Sequence, residues 1–208
     1  MLLVIGNKNY SSWSLRPWIA MKARGIAFEE KRITLYVPGA KEQILEHSPA
    51  GKVPCLIDGD VTVWDSLAIL EYLAEREPAL WPSEAAERAR ARAISAEMHS
   101  GFPNLRSRMS MNVRRRYPGK GRSPEVEAEI RRIVQIWSEC RGPFLLGEFG
   151  AADAMYAPVV LRFRTYAVEL PPPCRAYCEA MLALPALREW IEAAERESES
   201  IPQFDLYE

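Results

Sequence analysis

Apolar and polar positions alternate at two different periods along this chain, and the change between them divides it in two. Leu2-Leu3-Val4-Ile5 is wholly apolar, as a strand buried on both faces requires. From Ser14 to Arg24, apolar Leu15, Trp18, Ile19 and Ala23 recur at helical spacing. Pro17 is expected in that helix's first turn, where a missing N–H costs little, and Gly25 fits the stop after it. Phe28 to Leu35 predicts a second strand, and Lys41 to His47 a short helix ended by Ser48-Pro49. Val53 to Ile57 and Val61 to Trp64 predict two strands joined by an Asp58-Gly59 hairpin turn. Ser66 to Glu75, with Leu67, Ile69, Leu70, Tyr72 and Leu73, reads as a helix. The order is β-α-β-α-β-β-α.

Beyond it the strand period disappears. A segment with two prolines, residues 77–83, reads as a linker between a small α/β domain (residues 1–76) and an all-helical one (residues 84–208). Ser83 is placed to cap a helix running toward Met98. Ser123-Pro124-Glu125 supplies an N-cap, an N1 proline and a first-turn acid in sequence. Further helices are expected to begin near Gly150, Pro173 and Pro185.

Composition narrows the functional classes. The chain has 208 residues, 48% of them hydrophobic, so it can build a substantial core. A formal net charge of −1 lacks the basic excess of a nucleic-acid binder. The apolar stretches are short and broken by charge, so no membrane span is expected. Met1 to Gly6 lacks a basic region followed by a long apolar one, and reads as a strand rather than a signal peptide. A soluble, cytoplasmic protein is the expectation. Cys55, Cys140, Cys174 and Cys178 form no CxxC pair and only two histidines are present, so packing accounts for the cysteines and no metal is expected.

Three short segments are candidates for chemistry. Val53-Pro54 puts a proline inside a strand-like run; either a cis bond at the strand's start or a trans proline on an edge strand accounts for it. Trp64-Asp65-Ser66 opens a helix. A simple N-cap explains it, but helix N-termini also receive carboxylates, and Asp65 could accept an ammonium group, so an amino-acid end would suit the pair. Ser11-Ser12-Trp13-Ser14 lies between the first strand and the first helix. Serines cap helices well, yet a hydroxyl at this position could also stabilise a bound thiolate. Lowering a thiol pKa by two units takes about 2.7 kcal/mol, within reach of one charge-assisted hydrogen bond plus the helix end.

With Tyr10-Ser11-Ser12-Trp13-Ser14-Leu15-Arg16, Ser48-Pro49-Ala50-Gly51-Lys52-Val53-Pro54-Cys55-Leu56, Trp64-Asp65-Ser66-Leu67-Ala68-Ile69-Leu70-Glu71-Tyr72-Leu73 and Gly150-Ala151-Ala152-Asp153-Ala154 at their spacing, essentially the whole chain resembles the cytosolic glutathione S-transferases, with a serine-type, zeta-like N-terminal motif. The resemblance implies an α/β thioredoxin-like N-terminal domain plus an all-α C-terminal domain, a cis Pro54, glutathione as co-substrate without a metal, and a homodimer. It implies that the Val53 backbone meets the cysteinyl part of glutathione, that Asp65 and Ser66 hold its γ-glutamyl end, and that Lys52 meets its glycyl carboxylate. It assigns the catalytic hydroxyl to Ser11, with Ser12 as the alternative. Trp13 stands where the zeta pattern has cysteine, which weakens a claim to maleylacetoacetate isomerisation and removes a thiol nucleophile. Gly150 stands where a Ser or Thr cap is usual, although Asp153 can still reach the Gly150 N–H and complete half of the capping box.

The resemblance places the second substrate near Trp13, Glu97, His99, Ser100, Phe102 and Met111. His99 is either a base or an ordinary helix histidine. Arg106, Arg108, Arg114, Arg115 and Arg116 form either a solvated face or an attractor of anionic electrophiles. The expected function is serine-activated conjugation of glutathione to a small electrophile, a detoxification reaction. The alternatives are a glutathione-dependent cis-trans isomerase of the maleylacetoacetate type and a non-catalytic glutathione-binding or scaffold protein.

Overall fold

The computed structural model describes residues 1–207. Strands β1 (Leu2–Ile5), β2 (Glu29–Arg32), β3 (Cys55–Asp58) and β4 (Val61–Val63) form one sheet in the order β2-β1-β3-β4. β1 runs parallel to β2 and antiparallel to β3, and β3 pairs antiparallel with β4. β1 is central and its Leu3, Val4 and Ile5 are fully buried, as its apolar run requires. β2 is shorter than its pattern predicts: only the Glu-Glu-Lys-Arg segment pairs, and all four of its residues are exposed. Charged side chains on an edge strand block pairing with other chains.

Helices α1 (Ser12–Ala23), α2 (Ala40–Leu45) and α3 (Ser66–Ala74) are interleaved with the strands, and α1 and α3 pack against each other. α1 begins two residues earlier than the apolar pattern suggests, because Ser11 supplies its cap; Pro17 therefore lies at the sixth helical position, not in the first turn. The segment read as a linker contains a 3-10 turn, Pro78–Leu80. Then follow α4 (Ala85–Ser100), α5 (Pro103–Arg108), α6 (Pro124–Trp137), α7 (Ala151–Tyr166), α8 (Pro172–Ala183) and α9 (Pro185–Arg196). Glu84, not Ser83, caps α4: its carboxylate accepts the Glu87 N–H at 2.9 Å. α5 carries no apolar period, so nothing in the pattern predicts this six-residue helix. This is the layout the resemblance implies, a small thioredoxin-like sheet unit followed by a helical one.

α7 is the axle of the fold. Every residue of it except Arg164 is buried, and it packs against both α1 and α4. At its start the Asp153 carboxylate accepts the Gly150 N–H at 2.9 Å and the Leu145 N–H at 3.0 Å, the half box that the sequence allows. Burial outweighs these bonds and pushes the Asp153 carboxyl up to about 6. The native state thus holds a proton that the unfolded chain releases above roughly pH 4. Stability from this group is complete below that pH and is lost as pH rises to about 6. Denaturant titrations across this window should show the decline in the native protein. Asp153→Asn, which cannot ionise, should lack it while being about 1–3 kcal/mol less stable at its acid end through loss of one amide acceptor.

No helix among the described residues is long and apolar enough to cross a membrane. Among the same residues no group of three or more His, Cys, Asp or Glu is placed to hold a metal ion. The four cysteines are free, and burial raises all four thiols, Cys140 and Cys178 to about 12.

Candidate active site

The turn between β1 and α1 forms one wall of a cleft of about 730 Å³. The Tyr10 and Ser11 amides both bond to the Asn7 carbonyl, which folds the chain back on itself. Ser11 is the N-cap of α1; its Oγ accepts the Ser14 N–H at a long 3.4 Å and donates to Ser14 Oγ at 2.7 Å. Ser12 Oγ accepts from Arg162 Nη2 at 3.2 Å. Ser11 and Ser12 both line the cleft. Tyr10 lines it too, but its hydroxyl is fully engaged: it donates to Asp205 at 2.9 Å and accepts from Arg114 and from the Ile201 N–H.

The chain's last stretch pins this loop from outside. The Glu197 carboxylate accepts the Lys8 N–H at 2.7 Å and the Asn9 N–H at 3.0 Å, although burial raises its pKa. The Asn9 side chain donates to Asn112 and accepts the Arg114 N–H. Arg114 donates to the Glu197 and Glu199 carbonyls, and Phe204 packs against the rings of Tyr10 and Tyr36 at the cleft's edge.

The opposite wall comes from the starts of β3 and α3. The peptide bonds Val53–Pro54 and Trp64–Asp65 are both cis, the first as the resemblance implies. Among the described residues no main-chain hydrogen bond is made to Val53. Asp65 caps α3: Oδ1 accepts the Leu67 and Ala68 amides, while Oδ2 pairs with His99 Nε2 at 3.0 Å. Ser66 is buried, and its Oγ accepts from Arg16 Nη1 at 3.3 Å. Lys52 is exposed on the rim. Lys41 of α2 lines the same cleft, with Nζ on the Gly51 carbonyl at 2.8 Å. A Cβ at Gly51 would stand 2.1 Å from that Nζ, so this lysine and the small, positive-φ residue at 51 are matched.

Between the walls sits a group of arginines around Trp13. Arg16 lies 4.3 Å and Arg106 4.8 Å from the indole centroid, and the His99 ring meets it edge-on. Arg106 is held by the Met98 and Gly101 carbonyls at the end of α4, and Arg162 by the Met109 carbonyl and Ser12. Neither makes an ion pair among the described residues. Burial, aggravated by the neighbouring Arg106 charge, pulls the Arg162 guanidinium down to about 9; burial also lowers Arg16 and Arg106. Burying a cation without a counter-ion carries a desolvation cost, which an anion bound beside it would offset.

Ser11, Ser12, Trp13, Lys52, Val53, Pro54, Asp65, Ser66, His99 and Met111 therefore meet in one cleft. Phe102 does not: it is buried in the turn between α4 and α5 with φ 61°. Glu97 pairs with Arg132 at 2.7 Å and Ser100 bonds to the Ala96 carbonyl, both away from the cleft. Of the five arginines read as a cluster, Arg106 alone lines it. The sequence reading missed Lys41, Arg162 and Phe204. Arg162 left a signal, a lone charge in the apolar run from Ala154 to Phe163.

Two family models match the chain: the glutathione S-transferase N-terminal domain over residues 10–76 and the C-terminal domain over residues 67–193. The maleylacetoacetate isomerase of Rattus norvegicus is 32% identical over 191 residues, 86% of this chain and 87% of the relative. A probable maleylacetoacetate isomerase of Caenorhabditis elegans is 31% identical over 170 residues, 78% of this chain and 79% of the relative. Among solved structures, a glutathione transferase homologue from Burkholderia gl BGR1 with bound glutathione superposes with a TM-score of 0.73 at 22% identity, covering 94% of this chain and 98% of the other. A maleyl pyruvate isomerase, a bacterial glutathione S-transferase in zeta class, gives 0.71 at 23% identity, covering 96% and 100%. At these identities the superpositions speak for the fold, and the sequence matches speak for descent: this chain belongs to the glutathione S-transferase family.

Proposed function

We propose that the cleft binds glutathione, that Ser11 stabilises its ionised thiol, and that the reaction served is cis-trans isomerisation of an olefinic carboxylic acid rather than conjugation of neutral apolar electrophiles. The residues fit the tripeptide. The Asp65 side chain is half exposed, so its Oδ2, though paired with His99, can also accept from an ammonium group; Ser66 and the N-terminus of α3 suit a carboxylate, and among the described residues the Val53 main chain has no competing partner. Lys41 and Lys52 supply cations at the glycyl end. Bound glutathione supplies a nucleophilic thiolate that adds reversibly to an activated double bond.

The observation that carries the choice of reaction is Arg162, buried beside Ser12 with no carboxylate partner among the described residues, and with Arg106 close enough to lower its pKa. Two such cations beside the thiol position suit an acid and leave a neutral aromatic electrophile without a matching partner. The names of the relatives agree with this reading. Trp13, the departure from the zeta pattern, lies flanked by Arg16 and Arg106 and so serves to hold the guanidinium groups in place.

In an assay with glutathione and maleylacetone, isomerisation should be seen and should exceed conjugation of a neutral aryl halide by at least about tenfold in kcat/KM, the discrimination that one charge-assisted hydrogen bond provides. Activity toward the aryl halide alone would return the chain to the conjugating reading, and no heat on titration with glutathione would favour a scaffold.

A further inference from the structure

We infer that Ser14 is a positioning residue for the thiol-activating hydroxyl, acting as the inner member of a hydroxyl pair with Ser11. This rests on the reading of Ser11 given above. Ser14 lies in the first turn of α1 and is wholly buried. Its Oγ accepts the Gly6 N–H at 3.1 Å and the Ser11 hydroxyl at 2.7 Å. The second distance is the ordinary optimum for O–H···O, whereas the capping contact from the Ser14 N–H to Ser11 Oγ is 3.4 Å. The hydroxyl contact, more than the cap, therefore fixes the Ser11 side chain.

It also fixes where the Ser11 proton points. In the free protein that proton is turned inward to Ser14, away from the cleft. To meet a thiolate it must rotate outward, and Ser11 Oγ then lacks its partner unless Ser14 donates in return. Ser14 is equipped to do so: Gly6 continues to fill one of its lone pairs, and among the described residues its own proton has no hydrogen-bond acceptor apart from Ser11 Oγ. With the anion in place the donors line up as Gly6 N–H to Ser14, Ser14 O–H to Ser11, and Ser11 O–H to sulfur. Two hydroxyl protons rotate and neither changes owner. Each donor in such a chain polarises the next, and the last one becomes the stronger donor. A buried serine present only to satisfy the Gly6 amide has no effect on the ionisation of a ligand thiol.

The test compares Ser14→Ala, Ser14→Cys and Ser11→Ala in the full chain. The readouts are the absorbance of bound glutathione thiolate against pH, the pH profile of kcat/KM, and glutathione affinity by calorimetry. Both Ser14 variants should raise the apparent pKa of the bound thiol, by about one unit for loss of one hydroxyl partner, with affinity for glutathione changed less than about threefold. Cys keeps the volume and is a weak donor, so it tests the same point should Ala fail to fold. An unchanged thiol pKa in either folded variant, with only a lower melting temperature, overturns the role. If Ser11→Ala raises the thiol pKa and the Ser14 variants do not, the relay alone is wrong; if Ser11→Ala does not raise it, the reading of Ser11 has failed.

Discussion

Replacing Ser11 with Ala should lower kcat about 100-fold for the glutathione-dependent reaction, the range seen when one preorganised donor to a developing or bound anion is removed. Glutathione affinity should change less than about threefold, because the groups proposed to hold its two ends lie on α2, in the loop before β3 and at the start of α3. The fold should survive. Loss of an N-cap costs about 1 kcal/mol, and the Ser11 cap contact is long at 3.4 Å. Ser12→Ala should do less, since the Ser12 hydroxyl is engaged by Arg162 and, among the described residues, has no second hydroxyl bonded to it. Unchanged turnover in both variants would remove the proposed role from the loop. Steady-state kinetics with calorimetry on the same preparations separates the two effects.

Arg106→Gln should raise KM for an olefinic acid about tenfold to a hundredfold, the value of one charge-assisted hydrogen bond, and leave kcat/KM for a neutral electrophile within about twofold. Arg106 is the better probe of the two cleft arginines. Its guanidinium rests on carbonyls at the end of α4, and Gln can still donate to one of them. Arg162 is more deeply buried and also holds Met109 and Ser12, so its removal would disturb the serine loop directly. Arg106→Lys should recover part of the affinity, since it restores the charge without the planar fork. The effect should shrink as ionic strength rises, but less than for an exposed pair, because the site is partly buried. Equal losses for the acid and the neutral electrophile would mean that Arg106 supports the cleft's shape and not an anion.

The parts of this site that were legible in the sequence are those set by local chemistry. Asp65 caps α3 and Asp153 reaches Gly150, because each depends on neighbours within a few residues; the buried β1 strand was legible from its own apolar run. The order of strands and helices along residues 1–76 followed from period and turn residues, whereas the sheet order β2-β1-β3-β4 rests on long-range pairing and was not read. What could not be read locally was made by contacts across the chain. Arg162 meets Ser12 across 150 positions, and Glu197 meets Lys8 across 189. Nothing near Phe204 marks it as a wall of the cleft. Phe102 was misplaced because an apolar residue after a long helix reads the same whether it turns toward a cleft or into the core. The Ser83 cap lost to Glu84 by one position, a shift that backbone geometry settles and side-chain type does not.

The central claim is that a serine hydroxyl holds a bound thiol ionised, and titrating that thiol in place tests it most directly. With the protein saturated with glutathione, thiolate absorbance followed against pH should give a midpoint below the roughly 8.5 of an ordinary free thiol, and in Ser11→Ala the midpoint should move back up toward that value. A native midpoint equal to that of free glutathione, or the same lowered midpoint in Ser11→Ala, would contradict the account.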